Sequence, residues 1–164
     1  MTLYVAYNGP APTTAALAPT STGTAIKTHL QIATPSTRDI KVIRWGISFD
    51  GSSAATPIKV ELIQTDVAAT GGTAHVASGV MPYDSNAPAS LMTLGTGATG
   101  YNFTTEGTIT ATRIADAQLI APTSQYIYEW SLGREFMVPV SKFLRIRTTA
   151  GASVNAYCFV EWEE

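Results

Sequence analysis

Apolar and polar positions alternate with a period of two along much of this chain, and that period predicts strands rather than helices. Leu3, Val5 and Tyr7 share one face of a first strand over residues 2–8, which Gly9-Pro10 ends. Ile26, Thr28, Leu30 and Ile32 then face one way while Lys27, His29 and Gln31 face the other, up to Pro35. In residues 38–49 the pattern changes side. Ile40 and Val42 lie on one face and Ile43, Trp45, Ile47 and Phe49 on the other, so a bulge or register change is expected inside this strand. Gly46 lies opposite Trp45 in the pleat, where a missing side chain leaves room for a neighbouring ring. Ile58, Val60 and Leu62 alternate with Lys59 and Glu61, so residues 38–65 read as a hairpin with a long loop after the Asp50-Gly51 turn signal.

The second half repeats the theme. Residues 108–113 resume strand-like alternation, and Tyr126, Tyr128 and Trp130 share a face opposite Ile127 and Glu129. Pro139 cannot donate to a ladder, so it belongs at an edge or a strand end. Leu144 and Ile146 oppose Phe143, Arg145 and Arg147. The last strand carries Val154, Ala156, Cys158, Val160 and Trp162 on one side and Asn155, Tyr157, Phe159 and Glu161 on the other. Two largely apolar sides predict a central or interface strand.

Two stretches lack such a period. Residues 10–24 are Ala, Pro, Thr and Ser, which predicts an extended arm. Residues 66–107 hold seven Gly and two Pro and predict long loops with one or two brief strands near Val76 and Val80. Eight to ten strands without a helical stripe fit one all-β domain over residues 1–164, an antiparallel β-sandwich of jelly-roll-like type. An immunoglobulin-like sandwich is the structural alternative, although Cys158 has no second cysteine with which to build that fold's core pair.

Composition narrows the function. Charged residues make up 13% of the chain, about half the usual share, and 24 Thr, 23 Ala and 13 Gly stand in their place. Such a surface dehydrates easily against a partner. A net charge of −2 offers no basic field for a phosphate backbone, so nucleic acid is not an expected partner. No run of eighteen apolar residues predicts a membrane helix, and residues 1–12 lack a charged-then-apolar leader, so synthesis in the cytoplasm is expected. Cys158, alone in an apolar strand, reads as a small buried hydrophobe.

Catalytic patterns are weak. His29 and His75 lack metal-ligand spacing, and His29 reads as an exposed or hydrogen-bonded strand residue. The glycine-rich run at residues 95–100 precedes no helix former, and anion binding of the dinucleotide type needs a helix N-terminus there. Asp50, Glu61, Asp66, Glu129 and Glu135 could pair for glycoside hydrolysis only if folding joined two of them across a cleft. The aromatic set Tyr126, Tyr128, Trp130, Tyr157, Phe159 and Trp162 serves either as core and interface or as a sugar platform. No enzyme and no cofactor is expected.

The size, the Thr/Ala/Gly-rich loops, the stretch YEWSLGREFMVPVSKFLRIRTT and the strand after it resemble the small β-sandwich decoration, or cement, proteins on tailed-bacteriophage capsids. The resemblance implies a homo-oligomer, a trimer above all, that grips the major capsid protein at the virion surface and stabilises the shell without catalysis. Residues 10–24 and 67–107 are then the lattice-contact candidates. The candidate contact residues are Tyr4, Pro10, Pro12, Pro19, Tyr83, Tyr101, Phe103, Arg134 and Glu135, with Arg134 and Glu135 suited to an intermolecular ion pair. A carbohydrate- or receptor-binding sandwich, of a kind found on phage tails, is the competing class.

Overall fold

A strand with one apolar face must cover that face with a second layer, and this chain does so by alternating between two antiparallel sheets. The computed structural model describes residues 1–52, 54–108 and 110–164. Its strands are β1 (Leu3–Tyr7), β2 (Thr20–Ser21), β3 (Ile26–Ala33), β4 (Ile40–Phe49), β5 (Ile58–Thr65), β6 (Thr73–Ala74) and β7 (Val80–Pro82). After them come β8 (Gly100–Tyr101), β9 (Arg113–Ile120), β10 (Gln125–Glu129), β11 (Phe136–Val138), β12 (Phe143–Thr149) and β13 (Asn155–Glu163). Sheet I has the order β10-β4-β13-β1-β7, with β11 also paired to β4 and β2 to β13. Sheet II has the order β6-β8-β3-β12-β5-β9. The predicted β-sandwich is present.

Between the sheets lies one core, built from Leu30, Ile32, Ile40, Val42, Trp45, Ile47, Ile58, Val60, Leu62, Leu144, Ile146, Cys158, Val160 and Trp162 among others. Burying each such side chain contributes roughly 1.5–3 kcal/mol, which makes this layer the main source of stability. Cys158 is buried and free, as its strand context predicts. β13 is central in sheet I, between β4 and β1.

Several expectations need correction. Residues 38–65 do not form a hairpin: β4 pairs within sheet I and β5 within sheet II, so the connection crosses from one layer to the other. The alternation of one strand records which side is apolar, not which sheet supplies the cover. In β1, where Leu3, Val5 and Tyr7 share one face, the opposite face with Tyr4 and Ala6 is the core side. The strand expected over residues 108–113 includes Ile109, outside the described residues, and the ladder begins only at Arg113. The brief strands expected near Val76 and Val80 are present as β6, which ends two residues before the exposed Val76, and β7, which begins at Val80.

Bulges reset the faces. In β4 the register against β13 shifts between Glu161 and Trp162, leaving Ile43 as the extra residue, so Val42 and Trp45 both reach the core. The expected change of side within β4 is this bulge. β3 has an unexpected one: Ile146 pairs Leu30 but Arg147 pairs Thr28, which leaves His29 unpaired. Thr28 is thereby turned outward and His29 inward.

Candidate interaction surface

The two bulged residues of β3 organise opposite sides of sheet II. His29 enters a buried polar chain: Thr20 Oγ1 lies 3.0 Å from its Nδ1 and Thr148 Oγ1 2.9 Å from its Nε2. Asn8 donates to Thr20 Oγ1 at 2.8 Å and accepts the Cys158 N–H at 2.7 Å. Burial pushes the His29 imidazole down to about 3, so it is a neutral, satisfied core group. Of the two roles expected for it, hydrogen bonding is the one found.

On the outer side, Thr28 donates its N–H to Glu106 Oε1 at 2.5 Å and its hydroxyl to Glu106 Oε2 at 2.8 Å. Arg145, fully buried, pairs with Glu106 and donates to Thr28 Oγ1 at 2.9 Å and to the Val67 carbonyl at 3.3 Å. Gln31 accepts the Ala69 N–H at 2.8 Å and donates to the Ala98 carbonyl at 2.7 Å. The chain after β5 therefore crosses sheet II as an outbound strap, and the chain after β8 returns across it. Thr70 and Thr105 bridge the two straps. Phe103 is buried beneath this cover. The glycine-rich run at residues 95–100 makes a turn, with Gly95 and Gly97 at positive φ, and leads into β8 rather than a helix.

Sheet I has a different outer side. Register places Tyr7, Phe159, Gly46 and Ile127 in one row across β1, β13, β4 and β10. A Cβ on Gly46 would lie 2.6 Å from Phe159 Cε1 and 3.1 Å from Ile127 Cγ1, so glycine admits the ring, as expected from the pleat. Leu17 and Tyr157 complete this patch, with the Tyr157 hydroxyl donating to the Leu17 carbonyl at 3.0 Å. Two shallow hollows meet at Tyr7 and Leu17. One, of about 260 Å³, is lined by Tyr7, Pro10, Pro12, Leu17 and Met81, and the other, of about 200 Å³, by Tyr7, Leu17, Ile127, Tyr157 and Phe159. Ile127, Tyr157 and Leu17 are exposed.

A polar row borders the apolar one. Arg44 donates to Glu161 Oε2 at 3.0 Å, and Tyr83 donates its hydroxyl to Glu161 Oε1 at 2.5 Å. Arg44 also stands over the Phe159 ring, 5.8 Å from its centroid. Its guanidinium is held above the ordinary arginine range, first by the hydrogen bond to Glu161. An apolar middle with an ion-paired margin is the usual composition of a protein-contact patch.

The expected contact residues divide. Tyr4 and Phe103 are buried, Tyr4 stacking on Trp162 and donating to the Pro88 carbonyl at 3.0 Å, so neither is presented at the surface. Core packing uses both rings. Pro12 and Pro19 are exposed on the arm beside the patch, and Pro10 is half-buried there. Tyr83 belongs to the polar margin. Tyr101, in β8 of sheet II, packs against His75. Arg134 lies exposed in the turn before β11, and Glu135 accepts the Gly133 N–H at 2.8 Å.

The carboxylates considered for hydrolysis are not gathered. Glu61 pairs with Arg147 at 2.7 Å and with Lys59 at 2.8 Å on sheet II, and Asp66 with Lys142 at 2.7 Å. Asp50 accepts from Asn155 at 2.8 and 2.9 Å, and Glu129 sits opposite Arg44 on sheet I. Among the described residues no group of three or more His, Cys, Asp or Glu side chains could hold a metal ion, and no helix is long and apolar enough to cross a membrane. Of the aromatic set, Trp162 is core, Tyr126 and Trp130 pack against it, and Tyr128 and Tyr157 are exposed. The Leu17 contribution was hidden in the sequence because nothing in the arm's composition predicts which residue returns to the sheet. Compared with family models, curated proteins and solved structures, the chain matches none.

Proposed function

We propose that this protein is a non-enzymatic structural component of a larger assembly, docking through the outer face of sheet I and the adjoining arm. The observation that carries this is unequal cover: the apolar row Tyr7-Phe159-Gly46-Ile127 is only partly covered, with Ile127 exposed, while the β3–β12 part of sheet II is roofed by the chain's own straps. With the resemblance to decoration proteins, the reading becomes a homo-oligomer, with a trimer favoured, seated on the major capsid protein at the surface of a tailed-phage virion. The order of the longer strands supports a jelly-roll-like sandwich: β1-β13-β4-β10 in one sheet and β3-β12-β5-β9 in the other is the order of two interleaved Greek keys. Fold alone does not choose a function, so the weight rests on the patch.

Two measurements test the reading. Light scattering after size exclusion is expected to give a closed oligomer, and co-sedimentation with expanded tailed-phage shells is expected to retain the protein. Ile127→Glu, which places a charge in the exposed row, is expected to weaken shell retention at least tenfold while the melting temperature stays put. Shell retention untouched by this change would overturn the role of the patch. Tyr7, Tyr157 and Phe159 around the smaller hollow favour the carbohydrate-binding class as second reading, although the Tyr7 and Phe159 rings tilt by 38° and offer no common plane. A saccharide screen that yields binding, with no shell retention, would select it.

A further inference from the structure

The sandwich has four sheet edges, and three are blunted. β6 is two residues long, β7 is three and ends in Pro82, and β10 and β11 share the far edge of sheet I as pieces of five and three residues. Short strands and proline are the usual protections against edge-to-edge pairing. β9 has neither. It runs for eight residues at the edge of sheet II, and its Ile114 and Leu119 are 59% and 74% exposed.

Its faces follow from β5. Ile58, Val60 and Leu62 face the core and pair with Ile120, Gln118 and Asp116, while Lys59 and Glu61 face outward and pair with Leu119 and Ala117. A register shift leaves Ala115 as the extra residue, packed toward the core, and Ile114 opposite Ile63 on the outer side. Ile114, Ala117 and Leu119 therefore form one outward apolar stripe in spite of their irregular spacing.

We infer that β9 is a self-pairing edge, which joins two copies of this chain antiparallel about a two-fold axis at Ala117. Opposed residues in an antiparallel pair must share a face, and this restricts the register. With Ala117 opposite Ala117 of the second copy, Asp116 opposes Gln118, and Leu119 meets Ile114 across the bulge, in both halves of the contact. All three matches suit their chemistry. Asp116 Oδ1 already accepts from Gln118 Nε2 of its own strand at 3.0 Å, so the same bond can be made between copies. Centring on Gln118 instead would set Asp116 against Ile120 and Ile114 against Ala121, beyond the end of β9. The self-matching of this one register selects a second copy over any other strand, because an isologous contact repeats each match twice. This contact is independent of the sheet I patch and of the capsid reading.

Light scattering on the whole chain tests it, with Leu119→Lys as the comparison. Leu119 is exposed in the single chain, so the change spares the core, and it is expected to halve the mass, from a dimer to a single chain or, if a three-fold contact is also made, from a hexamer to a trimer. Register is read separately by cysteine cross-linking, since the native thiol at Cys158 is buried. Under mild oxidation Ala117→Cys is expected to form a disulfide-linked dimer at least tenfold faster than Gln118→Cys. A wild-type mass that Leu119→Lys leaves unchanged, or equal cross-linking at the two positions, would overturn the proposal.

Discussion

The outer faces of the two sheets were built from similar strands and finished in opposite ways. Sheet II presents Thr28, Gln31 and Arg145 outward and satisfies them with two straps drawn from residues 66–107. Sheet I presents Tyr7, Phe159 and Ile127 outward and leaves the first two half-buried and Ile127 exposed, with Leu17, Pro10 and Pro12 of the arm laid beside them. A polar outer face, once dehydrated, needs every donor and acceptor matched, so its cover is specific and intramolecular. An apolar face has no such demand and can accept a separate surface. The contrast marks the straps as structure and, under the function proposed above, makes the open row the surface on which a partner would dock.

The covered side can be broken at its centre. Glu106→Ala leaves the Arg145 guanidinium buried against Thr28 and backbone carbonyls, without its carboxylate. Removing one member of a buried pair costs about 3–5 kcal/mol, and urea denaturation is expected to register a loss of that size. Burial already lowers the Arg145 pKa, with Glu106 opposing that fall, which is why the isolated charge is costly. The double change Glu106→Gln with Arg145→Met is expected to recover much of the loss. A single variant as stable as wild type would mean that the straps do not depend on this pair.

Acid probes the inward half of the same bulge. Burial holds His29 at about 3, against an ordinary value of 6.5. Between those values the unfolded chain binds a proton that the folded chain refuses, so the stability is complete above pH 6.5 and falls as the pH drops toward 3. At roughly 1.4 kcal/mol for each pH unit, His29 accounts for about 2–3 kcal/mol lost between pH 7 and 4.5. His75, also lowered by burial, adds loss in the same window. Glu61 is different: burial raises its pKa, but Lys59 and Arg147 outweigh that and lower it, so its contribution is lost only below the ordinary carboxylate range. Urea midpoints at pH 7 and 4.5 are expected to differ less in His29→Gln than in wild type. An equal pH dependence in the two proteins would place the titrating group elsewhere.

What the alternation made legible was the set of faces: Ile58 to Leu62, Leu144 with Ile146, and Ala156 to Trp162 all point where their spacing says. The Ile43 bulge was legible because apolar residues changed parity around it. The His29 bulge was not, since Lys27, Thr28 and His29 show no matching change, and burial of a histidine through Thr20 and Thr148 depends on strands far away in sequence. The β4–β5 crossover was illegible for a related reason, because both strands need one covered face whether or not they pair. At the patch, Gly46 and the two-sided β13 were visible signals. Tyr4 and Phe103 misled, because an aromatic side chain reads alike in a core and on a contact surface.

The smallest expected effect bears on the arm. Tyr157 donates its hydroxyl to the Leu17 carbonyl at 3.0 Å from an exposed position, so Tyr157→Phe removes one solvent-competed hydrogen bond. Global stability is expected to move by no more than about 0.5 kcal/mol. Local opening is another matter, because residues 12–19 are exposed and their backbone has few other anchors to sheet I. Limited proteolysis is expected to cut within residues 12–19 several-fold faster in the variant, while the straps over sheet II stay intact in both proteins. That pairing of results would separate an arm free to join a partner from straps committed to the fold. Equal cutting rates would instead make Leu17 packing, or the buried Asn8–Thr20 bond beyond it, the true anchor of the arm.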